Sequence, residues 1–136
     1  MVSSVSTTTK VYDLEERTAK FGEEVIAFCK ILPVNDITRR IIPQLVACGT
    51  AVGANYCEAD CAESNKDFIH KMAIANKEAK ESKHFIRMVA KACPERVPEG
   101  RKLWKEAHEL NLIFMTIIKK AKATEAKKDI KLDQEI

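Results

Sequence analysis

Apolar residues along this chain recur at the spacing of a helix and never alternate as in a strand. From Val11 the series Leu14, Phe21, Val25, Phe28 and Leu32 keeps to one helical face. Pro33 stops this first helix, because proline lacks an N–H and disfavours helix in the residue before it. A second face runs Ile37, Ile41, Leu45, Cys48 and Val52, with Tyr56 close behind and Asp36 as its expected N-cap. Pro43 lies inside this run, so a kink or a later start is expected. Gly49 and Gly53, four apart, each cost about 1 kcal/mol against alanine in a helix, and a close approach of a second helix is the expected compensation.

Ser64-Asn65-Lys66-Asp67 reads as a capping box opening a third helix, whose apolar face is Phe68, Met72, Ala75, Ala79, Ile86 and Val89. The segment Cys93-Pro94-Glu95-Arg96-Val97-Pro98 turns the chain into a fourth, carried by Leu103, Ala107, Leu110, Phe114, Ile117 and Ala121. Four long amphipathic helices with short links predict an all-α, antiparallel up-down-up-down four-helix bundle over residues 11–123. The Ser/Thr-rich residues 1–10 are expected to be disordered, and 124–136 to form a charged tail that frays.

The fourth helix departs from simple amphipathicity. Leu110-Asn111-Leu112-Ile113-Phe114-Met115-Thr116-Ile117-Ile118 is apolar almost all round. One bundle core covers one stripe, so Leu112 and Met115 are expected to meet a second subunit.

Charge changes the picture of the third helix. Opposite its core face lies the series Lys66, His70, Ala73, Lys77, Lys80, His84, Arg87 and Lys91, of which seven can carry positive charge. Residues 64–93 are net +4 and 99–123 net +3, whereas 10–63 are net −3. The whole chain is only +3, so the charge is polarised between two halves. A basic stripe neutralises phosphates and releases their counterions, which makes Lys66, Lys77, Lys80, Arg87 and Lys91 candidates for contact with RNA or DNA. The alternative is a solvated face on a structural or protein-interaction module with no nucleic-acid binding.

Enzymatic chemistry finds little support. A di-iron bundle needs paired Glu-x-x-His motifs, and Glu81-Ser82-Lys83-His84 stands alone. Cys57 and Cys61 could share a helical face and, with Cys93 or His70, chelate zinc, but their spacing is not that of a zinc finger. A nucleophilic cysteine needs a positioned base, and neither His70 nor His84 has an expected partner of that kind. No metal, cofactor or catalytic residue is therefore expected. The odd count of five cysteines argues for reduced thiols. With no long uncharged apolar stretch and no signal-like start, a cytoplasmic protein without a membrane span is expected.

The segment Gln44-Leu45 … Ala51-Val52-Gly53-Ala54-Asn55-Tyr56-Cys57-Glu58-Ala59, followed by Ser64-Asn65-Lys66-Asp67-Phe68-Ile69-His70-Lys71 and Ala75-Asn76-Lys77-Glu78-Ala79, carries a resemblance. It resembles the four-helix-bundle proteins encoded in intervening sequences of bacterial large-subunit ribosomal RNA genes. That family includes the accessory variability protein of diversity-generating retroelements. The likeness spans roughly residues 11–123; where the family often has Gly after the Glu, this chain has Ala59. The resemblance implies a cytosolic, barrel-like homopentamer with a basic surface. In the retroelement branch it implies binding to RNA or DNA and to a reverse transcriptase. Asn55 and Glu58, three apart near the end of the second helix, are read as a structural pair that satisfies N–H groups of the following loop, and Ser64, Asp67 and Phe68 as the opening of the third helix.

Overall fold

The computed structural model describes residues 13–136. The segment 1–10, expected to be disordered, lies outside the described residues. Four α-helices follow in order: α1 Leu14–Lys30, α2 Thr38–Asp60, α3 Asn65–Ala92 and α4 Val97–Glu135, with a single 3-10 turn, Pro94–Arg96, between the last two. No strand occurs among the described residues. Each helix packs on the next in the chain, and α1 closes the ring by a shorter contact with α4. The result is an all-α antiparallel bundle.

The helix ends show where local chemistry decides. Asp13 caps α1, its carboxylate accepting from the Glu16 N–H at 3.1 Å. Ser64 caps α3, its Oγ accepting from the Asp67 N–H at 3.0 Å, half of the expected capping box. At α2 the expectation of an Asp36 cap is corrected. Asn35 Oδ1 accepts from the N–H groups of Ile37 and Thr38, while Thr38 Oγ1 donates to the Pro33 carbonyl at 2.6 Å. Asp36 instead points outward to Arg39. Thr38 is buried in consequence, and Ile37, placed on the core face by its spacing, is exposed. Helix α2 does not start late: it runs from Thr38 through Pro43, leaving the Arg39 carbonyl without its i+4 donor.

The core is drawn from the expected stripes. Leu14, Phe21, Val25, Leu45, Val52, Met72, Ile86, Leu110 and Phe114 are all buried. Phe68 is a correction, being only half-buried and packed against the edge of this core. Tyr56 of α2 stacks on Phe114 of α4 across the diagonal, with ring centroids 6.4 Å apart. Arg17 ties α1 to α4 through Glu106 at 2.7 Å and Glu109 at 2.7 Å. Asn65 donates to the Ala121 carbonyl and to Glu125, both at 2.9 Å, and these bonds mark the end of bundle packing. Over the charged segment 124–136, α4 continues as a largely exposed helix to Glu135.

Gly49 and Gly53 do mark a close approach, against α1. A Cβ on Gly49 would lie 2.8 Å from both Val25 methyl carbons, whereas one on Gly22 would meet its nearest atom, the Thr50 Cα, at an ordinary 3.5 Å. The two alanine variants should therefore move stability in opposite directions. Gly22→Ala gains up to about 1 kcal/mol of helix propensity. Gly49→Ala forces Val25 aside, an overpacking cost of about 1–3 kcal/mol that outweighs the same gain. Denaturant midpoints of the two proteins check this; equal midpoints would place the α1–α2 contact elsewhere.

Candidate nucleic-acid interface

Helix α3 sorts its side chains by periodicity. Met72, Ala75, Ala79, Ser82, Ile86 and Val89 are buried on one side. On the other, Lys66, His70, Ala73, Lys77, Lys80, His84, Arg87 and Lys91 are all exposed. The face runs about 38 Å from Lys66 to Lys91 at 1.5 Å per residue. The acidic residues of this helix stay off it. Asp67, Glu78 and Glu81 fall with Lys71 on the neighbouring stripe, and Lys71 bonds Glu58 of α2 at 2.8 Å. Burial, reinforced by Glu81, pushes the Glu78 carboxyl above its ordinary range. Among the described residues, the ion pairs use Arg17, Arg39, Lys71 and Arg96. Lys66, Lys77, Lys80, Arg87 and Lys91 take part in none, although Lys77 is close enough to Glu78 to favour its charged form.

Asn55 and Glu58 do not cap the following loop. Asn55 Nδ2 donates to the Ala51 carbonyl of its own helix at 2.9 Å, and Glu58 accepts from Lys71, so the pair splits into a helix-internal bond and an α2–α3 tie. Leu112 and Met115 are 51% and 54% exposed, and no other described residue buries them. Ile113, Ile117 and Ile118 are half-buried against the core. The apolar run thus has one stripe inside the bundle and another on its surface. Cys29, Cys48 and Cys93 are buried, and burial pushes the Cys29 thiol up to about 11. Cys57 and Cys61 are exposed near the α2–α3 loop, while Cys93 lies at the α3–α4 turn. Among the described residues no group of three or more His, Cys, Asp or Glu could hold a metal ion, and no helix is long and apolar enough to cross a membrane.

The sequence reading overlooked one cluster beside the stripe. Lys83 turns from α3 toward α4, its Nζ 3.2 Å from His108 Nδ1 and 5.2 Å from the Trp104 ring centroid. Trp104 and His108 stack at 5.1 Å with rings 15° apart. Desolvation, with Lys80 nearby, holds the Lys83 ammonium below its ordinary pKa. Only its α4 half had a sequence signal, the i, i+4 spacing of Trp104 and His108; nothing in the linear pattern joins Lys83 of α3 to them.

The fold and its one-sided charge define a small helical-bundle protein with an exposed basic face on α3. The chain belongs to the 23S rRNA-intervening sequence protein family, whose model matches residues 10–95. That match covers α1 to α3 and stops before the apolar run of α4. Among solved structures, the chain is similar to a protein of unknown function from the S23 ribosomal protein family of Bacteroides thetaiotaomicron. The two share 25% identity over 78% of this chain and 98% of that one, with a TM-score of 0.69. No curated protein matches the chain.

Proposed function

We propose that this chain is a non-enzymatic, cytoplasmic, oligomeric accessory protein that binds RNA or DNA through the basic face of α3. The observation that carries the reading is the set Lys66, Lys77, Lys80, Arg87 and Lys91, exposed together and free of ion pairs among the described residues. Such a face neutralises phosphates without reading bases, so binding is salt-sensitive and weakly sequence-specific. A ring of identical subunits, a pentamer by family resemblance, presents several such faces to one polyanion and gains by avidity. Mobility-shift titration against structured RNA and duplex DNA at two salt concentrations tests the reading. No binding at low salt would leave a structural or protein-interaction module as the better one. The retroelement part of the resemblance adds a reverse transcriptase as partner, and co-purification with such an enzyme is its test.

Self-association is supported by the exposed Leu112 and Met115. Light scattering of the purified protein should give a mass several times that of one 15.3 kDa chain. Leu112→Lys or Met115→Lys should lower that mass, because a charge in an apolar interface is costly to desolvate. A monomer at micromolar concentration would end this part of the proposal.

A further inference from the structure

We propose that the cleft beside Trp104 is a stacking site for one unpaired nucleotide of single-stranded RNA. The inference rests on the nucleic-acid reading above and gives it a specific pocket. The cleft, about 390 Å³, lies between the C-terminal half of α3 and the start of α4. Its floor is apolar, formed by Ile86 and Ala90. Arg87, Arg101 and Lys105 stand at its edges, and no carboxylate is among its lining residues. Trp104 forms a wall and is 38% exposed.

The geometry leaves one face of the indole for a ligand. The His108 ring centroid and Lys83 Nζ lie at nearly the same distance from the Trp104 centroid, 5.1 and 5.2 Å. Lys83 Nζ is also only 3.2 Å from His108 Nδ1. Two groups that far from the ring and that near each other sit on the same side of it. Both therefore back the indole on the side toward the C-terminal end of α4. The opposite side looks toward Gly100 and Arg101, one turn earlier, which line the cleft.

A flat ring held from behind, an apolar floor and three cations at the edge suit a ligand with a flat apolar body and an anionic link. An unpaired nucleotide has both. Its base stacks on the free indole face, and its phosphates meet Arg87, Arg101 and Lys105. A duplex keeps its bases stacked inward and can offer only the phosphates, so the cleft distinguishes single strands from duplexes. Trp104 stands eleven residues before Met115, about 16 Å along α4. The cleft thus lies near the start of α4, two to three turns before the mid-helix apolar patch assigned to self-association.

Trp104 is the chain's one tryptophan, so its fluorescence reports the site directly. The full chain at low salt is titrated with a short single-stranded RNA and with the duplex it forms with its complement. The single strand should quench the emission, while the duplex binds without quenching. Trp104→Leu should weaken the single strand about tenfold, leave the duplex unchanged, and regain affinity as Trp104→Phe. Circular dichroism of each variant shows that it folds; if the leucine variant does not, quenching in the native chain decides. Binding of both RNAs with unmoved fluorescence, or equal losses for both in the leucine variant, overturns the stacking site and leaves the basic face standing. No binding of either RNA overturns both.

Discussion

Phe114→Ala should lower the unfolding free energy by about 3–5 kcal/mol, a large share of the roughly 5–15 kcal/mol that holds a domain of this kind folded. Phe114 is 0% exposed. It lies on α4 and stacks on Tyr56 of α2, two helices that are diagonal in the bundle and meet only through side chains. Truncation removes the transfer energy of the ring and leaves a cavity that four helices cannot close without moving their backbones. The aromatic pair is lost as well, worth about 0.5–1.5 kcal/mol beyond area. Phe68→Ala should cost clearly less, because Phe68 keeps part of its surface in water and its site can collapse toward solvent. Urea unfolding at one fixed protomer concentration compares the two, since an assembly's apparent stability varies with concentration. Equal losses would mean that the centre of the bundle is not at Phe114.

The contrast between these phenylalanines shows how far periodicity reaches. Both stand on apolar stripes, and the stripes correctly gave four helices and an all-α bundle. Phe68, however, lies in the first turn of α3, where the bundle tapers, and burial there depends on how far a neighbouring helix extends. A linear pattern does not contain that length. The α2 start failed for a related reason. Asp36 and Asn35 are both good caps by residue type, and what selects Asn35 is the Thr38 hydroxyl reaching back to the Pro33 carbonyl. The charged segment after residue 123 has no core face, and its helix continues one already nucleated inside the bundle.

At the candidate interface the stripe of α3 was legible in full, since one helix suffices to define it. The Trp104 cluster was not, because it joins α3 to α4, and sequence alone did not say which flank of α3 faces which neighbour. The resemblance reached the family but not the finer branch. The polar pair Asn55 and Glu58 was correctly seen on one helix, yet its partners were assigned to the wrong element. Glu58 meets Lys71, thirteen residues on, across the α2–α3 loop.

Lys80→Ala combined with Arg87→Ala should flatten the salt dependence of nucleic-acid binding while leaving the fold intact. Each phosphate contact contributes about 0.9 to the slope of log affinity against log salt on duplex DNA and about 0.7 on single strands. Two lost contacts therefore remove about 1.4–1.8 from the slope for every subunit engaged. An assembly that places several subunits on one polyanion multiplies that loss, so the effect should exceed what one chain could show. Duplexes of unrelated sequence should weaken alike, because contacts to phosphate carry no base information. Stability should move by no more than about 0.5 kcal/mol, as is usual for exposed positions without partners. Lys71→Ala is the informative control. It removes one positive charge from the same helix, but that charge is already paired with Glu58 and lies off the stripe, so the salt slope should barely change. If Lys71→Ala flattened the slope as much as the double variant, net charge and not the α3 face would govern binding. An unchanged slope in the double variant would place the phosphate contacts on another surface.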